Sequence, residues 1–284
     1  MAADDLRIAI LSGKGGTGKT FLAVNITAVT KNSGYMDCDV EEPNGHLFFK
    51  PVDVREEEVR VSTPVWHPKT CTACRRCVDF CRFNALAYAG KKVIVFEDIC
   101  HSCRGCMHIC PEQAFTEKQR TVGKILRGNY GGKPVITGML QPGMASGVPV
   151  IRQMMQNMPK NLTYTIIDCP PGSACTVMES IRKADYCLLV MEPTLFGMHD
   201  FGMVANLLDL FGKPHGAVIN KSTGHNEAAY ETCRQRGIRV LGDIPFDRHL
   251  GTLHSNGIIA AEENGEYREM FLCILREVAR EAGK

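Results

Sequence analysis

Residues 6–20, LRIAILSGKGGTGKT, decide the fold of this chain. Leu6 to Leu11 is a short, branched apolar run and reads as a buried strand. Gly13, Lys14, Gly15, Gly16, Thr17, Gly18, Lys19 and Thr20 then satisfy G-x-x-x-x-G-K-[ST]. The segment that follows, TFLAVNITAVT, has helical character. Strand, loop and helix in that order are the setting a phosphate-binding loop needs, and a chance Gly-rich turn lacks it. The glycines let backbone N–H groups turn inward around phosphate oxygens, and the helix N-terminus adds partial positive charge. Lys19 is placed to reach the β- and γ-phosphates, and the Thr20 hydroxyl to ligate Mg²⁺. Lys14 is a second lysine, which the loop itself does not require.

Outward from this loop the chain keeps an α/β rhythm. YTIIDCPPG, YCLLVMEPT, GAVINK and IRVLGDIPFD read as strands with their loops. VPVIRQMMQNM, HDFGMVANLLDLFG and the tail EYREMFLCILREVAREAGK read as helices. Continuous apolar strands alternating with helices predict a mostly parallel sheet with helices on both faces. TVGKILRGNYGGKPVITGML looks like two strands around a Gly-Gly turn. A cysteine-rich stretch interrupts the pattern. The expected organisation is therefore one nucleotide-binding domain in two parts, residues 1–60 and 121–284, around an insert at 61–120.

Carboxylates are needed for the metal and for the attacking water. Asp168 ends the apolar run YTIID and fits the role of holding Mg²⁺ through water. The turn DCPPG after it suits a γ-phosphate sensor. Asp39, in MDCDVEEPN, is the candidate to orient the water, with Asp37 in support. For each, the plainer alternative is a strand-end carboxylate facing solvent.

Eight of the 14 cysteines fall between Cys71 and Cys110. The opening MAADDLRIAI has neither a basic n-region nor a long apolar run, so a cytoplasmic protein is expected, and metal or redox chemistry rather than disulfides. Cys71, Cys74, Cys77 and Cys81 form one C-x₂-C-x₂-C-x₃-C run. Cys100, Cys103, Cys106 and Cys110 form a second, and CTACRRCVDFCRFNAL aligns with CHSCRGCMHICPEQAF as an internal repeat. Thiolates at every third residue wrap three corners of an iron–sulfur cubane, and the fourth ligand comes from the other run. One [4Fe–4S] cluster is thus expected on Cys71, Cys74, Cys77 and Cys110, and a second on Cys100, Cys103, Cys106 and Cys81. Zinc is the alternative, but its sites usually separate two C-x₂-C pairs by a longer spacer. Arg82 stands where a proline often follows the fourth cysteine.

The net charge of +2 creates no field favouring nucleic acid or membrane, and no long Lys/Arg run is present. No apolar run approaches the ~18 residues of a spanning helix. In the tail, Arg268, Arg276, Arg280 and Lys284 are balanced by Glu266, Glu269, Glu277 and Glu281, which suits packing on a sheet better than binding anionic lipid.

Taken together, GKGGTGKT with Lys14, DCDVEEPN, IIDCPPG, VMEPT and VINK resemble the MinD/ParA/Mrp group of P-loop ATPases over nearly the whole chain. The nitrogenase iron protein is a more distant relative. The chain is most similar to the branch in which a two-cluster ferredoxin is inserted in the ATPase. The resemblance implies an α/β P-loop NTPase with a bacterial-ferredoxin-like α+β insert, using ATP, Mg²⁺ and two [4Fe–4S] clusters. It implies a homodimer, or a heterodimer with a similar ATPase, that sandwiches two nucleotides. Lys14 would cross that interface to the partner's phosphates like an arginine finger. Lys14, Lys19 and Asp39 are then the expected catalytic groups. Asn220 matches the residue that reads the adenine edge, with a turn-forming asparagine as the alternative, and Pro245, Phe246 and Asp247 match the loop packed on the base. A longer strand is implied before Asp37 than the apolar pair Tyr35 and Met36 supplies. Cys175, seven residues after Asp168, has the spacing of a cluster cysteine in the nitrogenase iron protein, but its companion has no counterpart here. A structural thiol is the simpler expectation for it, and a transient ligand for a delivered metal the other.

Two functions fit this sequence. One is an ATP-gated protein for metallocofactor assembly or electron delivery to a protein partner. The other is a spatial or regulatory switch with the clusters as redox sensor. A ferredoxin with a dead ATPase does not fit the intact Lys14, Lys19, Thr20, Asp39 and Asp168.

Overall fold

Strand β1 (Leu6–Leu11) lies in the interior of a nine-stranded sheet. The structure, a computed structural model, describes residues 5–283. With strands numbered along the chain, the sheet runs β11 (Val240–Pro245), β10 (His215–Ser222), β9 (Tyr186–Met191), β1, β8 (Tyr164–Asp168), β2 (Ser33–Asp37), β7 (Lys133–Leu140), β6 (Phe115–Tyr130), β3 (Val52–Trp66). Pairing is parallel from β11 to β7, and antiparallel where β6 joins β7 and β3 joins β6.

Both faces of this sheet are buried, which is why its strands read as unbroken apolar runs. Ile8, Ile10, Ile166, Leu188 and Val190 share one face. It is covered by α1 (Lys19–Ala28), α9 (Arg248–Ser255), α10 (Ala260–Glu263) and α11 (Gly265–Glu281). Ala9, Leu11, Ile167, Leu189 and Met191 share the other face, under α5 (Val148–Gln156), α6 (Cys175–Ile181), α7 (Leu195–Leu210) and α8 (Glu227–Gln235). Each fully buried Leu or Ile contributes roughly 1.5–3 kcal/mol. The tail helix α11 turns Phe271, Ile274, Leu275 and Val278 into the first layer. Among the described residues no helix is long and apolar enough to cross a membrane.

The segment before Asp37 makes a full strand despite its brevity. All five residues of β2 are buried, and it pairs with β8 along its whole length and with β7 from Tyr35 on. A short helix, α2 (Gly45–Phe49), follows. β3 and β6 then form a long ribbon, from Val52 opposite Asn129 to Trp66 opposite Phe115. Val61 and Arg120 are cross-strand partners on this ribbon, so the expected insert boundaries fall on one rung of a continuous ladder. Beyond the ribbon lie α3 (Arg76–Phe80), the hairpin β4 (Leu86–Ala89) and β5 (Lys92–Val95), a 3₁₀ turn (Glu97–Ile99) and α4 (Gly105–Ile109). This module has its own small core of Cys77, Leu86, Val93 and Phe115.

Candidate functional site

A cavity of about 800 Å³ opens beside the loop after β1. Gly15, Gly16, Gly18, Lys19, Thr20, Asp39, Asn220, Pro245, Phe246 and Asp247 line it. Residues far apart in the sequence are therefore brought together as expected. Gly16 and Gly18 have φ of +77° and +95°, the left-handed region that favours glycine. A Cβ on Gly18 would lie 2.2 Å from Asn220 Nδ2. That amide donates to the Thr17 carbonyl at 2.7 Å, so Asn220 braces the loop. Gly13 stands outside the cavity, packed so closely that a Cβ would meet the Asp200 backbone at 2.4 Å. Asp247 caps α9, accepting from His249 N at 2.7 Å, and also accepts from Tyr267 at 2.6 Å. These bonds, Tyr267's foremost, hold its carboxyl below the usual range.

The acids divide the work. Asp37 is fully buried and accepts from the backbone N–H groups of Asp39, Asn44 and Gly45 at 3.2, 3.1 and 2.9 Å. It shapes the loop that presents Asp39 to the cavity. Burial pushes the Asp39 carboxyl up to about 6, with Lys19 opposing. Asp168 is also fully buried, and its Oδ2 accepts from the Tyr35 hydroxyl at 3.0 Å. Burial pushes Asp168 up, again against Lys19. Its Oδ1 and the Thr17 hydroxyl are buried with no hydrogen-bond partner. An orphaned carboxylate oxygen beside an open phosphate loop is the donor a hydrated Mg²⁺ requires, so the residues fit the ion.

Lys14 does not point idly into solvent. Its Nζ lies 3.0 Å from Glu192 Oε2, and Lys221 pairs with the same carboxylate while donating to the Gly16 carbonyl at 2.7 Å. Against the effect of burial, Lys221 and Lys14 hold the Glu192 carboxyl below its usual range. Glu192 and Lys221 lie in VMEPT and VINK, and neither stretch by itself marks them as a pair. The available signal was an acid at the end of an apolar strand, just before a proline. Among the wall residues without a local sequence signal are Phe48 of α2 and His254 of α9, whose rings stack at 5.1 Å.

The cysteine runs fold as a repeat. Ala73, Arg75 and Asn84 take positive φ of 59°, 64° and 53°, and Ser102, Arg104 and Gln113, each 29 positions on, take 55°, 61° and 48°. The cysteines are offset by the same 29. One cavity is lined by Cys71, Cys74, Cys77 and Cys110, a second by Cys81, Cys100, Cys103 and Cys106. Each thus takes three thiols from one run and a fourth from the other. Burial pushes the Cys106 thiol up to about 11, with Cys100 and Cys103 adding to the shift. Four thiols lining one small cavity are a donor set that fits a metal cluster, which would hold them as thiolates. Among the described residues no group of three or more His, Cys, Asp or Glu side chains is placed to hold a metal ion. Cys175 departs from expectation: it is exposed at the first position of α6, so burial in a core does not explain it.

A family model described as the CobQ/CobB/MinD/ParA nucleotide binding domain matches residues 8–259. An uncharacterised protein of Methanocaldococcus jannaschii is 29% identical, aligned over 93% of each chain. An iron-sulfur cluster carrier protein of Pyrococcus horikoshii is 27% identical over 98% of this chain and 89% of its own. Among solved structures, the cell division ATPase MinD of Pyrococcus furiosus superposes with a TM-score of 0.60 at 18% identity, covering 99% of each chain.

Proposed function

This chain belongs to the CobQ/CobB/MinD/ParA nucleotide-binding family, and we propose that it is a Mg²⁺-dependent ATPase that dimerises around ATP and uses two [4Fe–4S] sites in metallocofactor assembly or electron delivery. The observation that carries the proposal is the coexistence, in one chain, of a nucleotide cavity and two four-cysteine cavities joined by the β3–β6 ribbon. The name of the Pyrococcus horikoshii relative supports the cluster half of the reading.

In this reading the backbone N–H groups of residues 15–20 and the α1 N-terminus seat the phosphates, and Lys19 neutralises the β- and γ-oxygens. Thr20 and Asp168 would hold Mg²⁺, which supplies further charge neutralisation at those oxygens. Asp39, ionised above about pH 6, orients the attacking water. Lys14 acts on the phosphates of a partner subunit. Asn220 and residues 245–247 bound the base. Cys71, Cys74, Cys77 and Cys110 would hold one cluster, and Cys100, Cys103, Cys106 and Cys81 the other, supplying one-electron chemistry or transferable iron and sulfide. The ribbon's inner neighbour β7 pairs with β2, which ends at Asp37. A nucleotide-driven shift of the Asp39 loop thus has a covalent and hydrogen-bonded route to the module.

The test is anaerobic purification with iron and sulfide quantified, followed by cluster spectra and potentials with and without ATP. About eight iron per chain and an ATP-dependent spectral or potential change are expected. Iron at background level would remove the cluster reading. Loaded clusters indifferent to ATP would favour the redox-sensing switch.

A further inference from the structure

We infer that Glu192 is a positioning residue that holds Lys14 in a resting place within its own subunit, so that dimer closure must break this contact before Lys14 can act. The inference rests on the proposed role of Lys14 in a partner's site. Its observations are independent of that role. Glu192 follows β9 and is nearly enclosed, with its side chain 12% exposed. One carboxylate oxygen meets Lys14 Nζ at 3.0 Å, and the other meets Lys221. Lys221 in turn donates to the Gly16 carbonyl, inside the phosphate loop. The Ser12 hydroxyl donates to the Lys14 carbonyl at 2.8 Å, which fixes the backbone from which this side chain swings.

A carboxylate shared by two lysines is not a neutral spectator. It holds the Lys14 ammonium within its own subunit, and through Lys221 it ties the loop's Gly16 carbonyl to β10. A γ-phosphate presented by a second copy of the chain carries more negative charge than one carboxylate. It is therefore the competitor that can take Lys14 away. When it does, Glu192 keeps Lys221 as counter-ion and is not left unpaired, which lowers the cost of opening. Leu195 and Phe196, 76% and 74% exposed, stand three and four residues beyond Glu192 on the same turn into α7. The resting contact thus sits beside apolar side chains that a second subunit would cover. In this arrangement Glu192 sets a threshold: isolated subunits keep Lys14 occupied, and only paired, ATP-loaded subunits release it.

The experiment compares ATP-dependent dimerisation of the wild-type protein, Glu192→Gln and Lys14→Ala by analytical ultracentrifugation in Mg²⁺ and ATP. It is paired with ATPase rate against protein concentration, and with fluorescent-ATP affinity at concentrations where the chain is monomeric. A half-enclosed ion pair is worth up to about 1 kcal/mol, or roughly fivefold per subunit. Because two contacts open per dimer, Glu192→Gln is expected to tighten the dimer by up to about twenty-five-fold. The concentration for half-maximal turnover should fall in step, and monomer nucleotide affinity should change by less than about twofold. An unchanged or weaker dimer in Glu192→Gln, with Lys14→Ala impaired, overturns the resting contact and leaves the trans role intact. Unchanged dimerisation and turnover in Lys14→Ala overturn the trans role itself. A rise in monomer nucleotide affinity as large as the change in dimerisation also overturns the inference, because Glu192 would then act through the nucleotide pocket.

Discussion

Asp39 sits in a cavity that penalises its charge, and its carboxyl is pushed up to about 6 from an ordinary 3.8. Ionising it therefore costs the folded chain more than the unfolded one, so its contribution to stability declines as pH rises from about 4 to about 6. Its chemistry runs the other way, because a protonated carboxyl is a weaker acceptor than a carboxylate and cannot take a proton from the attacking water. The apparent kcat/KM for ATP should climb as pH rises through about 6 and then level off. Asp39→Asn should abolish that rise along with most turnover, a loss of about 10²-fold or more. A pH–rate series on both proteins checks this, and a profile flat across pH 5 to 7 (about one unit either side of the Asp39 value) counts against the role. Gly18 is a second residue whose chemistry is set by its neighbours. Gly18→Ala would strain φ of +95° and press a methyl onto Asn220. Nucleotide affinity should fall by about tenfold or more, measurable by titration calorimetry.

At the scale of elements, the β3–β6 ribbon decides how the cysteine module is held. Ion pairs run along it: Lys124 with Glu56, and Arg127 with Glu57. Near its outer end, Lys118 pairs with Glu97 at 2.7 Å, Arg120 with Asp98, and Arg104 with Glu117 at 2.9 Å. Glu97 and Asp98 belong to the 3₁₀ turn that leads into Cys100. These exposed pairs are individually weak, about 0–1 kcal/mol, but two of them, Lys118 with Glu97 and Arg120 with Asp98, converge on one turn. Reversing two of them, in Lys118→Glu with Arg120→Glu, should loosen residues 97–110 while β1 keeps its protection. Hydrogen exchange followed by mass spectrometry reads both regions in one experiment. Equal protection of residues 97–110 in variant and wild type would mean that the backbone ladder alone fixes the module.

For the whole molecule, the nucleotide cavity and the cysteine cavities rest on separate cores. The sheet should therefore tolerate damage to the module. Cys74→Ser should lose about half the iron of the anaerobically prepared protein while binding ATP with unchanged affinity, checked by iron assay and fluorescent-ATP titration. Full iron content would overturn the ligand set, and lost ATP binding would show that the two cores do not fold separately.

Much of this molecule was legible in the sequence because its signals are local. Gly13 to Thr20 carries its own glycine spacing, β1, β8 and β9 are apolar on both faces, and the two cysteine runs repeat within a few dozen residues. That was enough to read a mostly parallel sheet, and to expect a phosphate loop on it and an interrupting cysteine module. Other features are set by residues far apart in the chain, so only packing reveals them. The tertiary structure decided that Asp37 is a buried brace and Asp39 the acid facing the cavity, since three backbone N–H groups converge on the first. It decided that Asn220 grips Thr17, and that Cys175 is exposed. It also brought Glu192 between Lys14 and Lys221, because parallel β9 and β10 end side by side next to the loop after β1. Charge pairing across strands depends on which ends the sheet aligns, and strand order is a property of the folded chain.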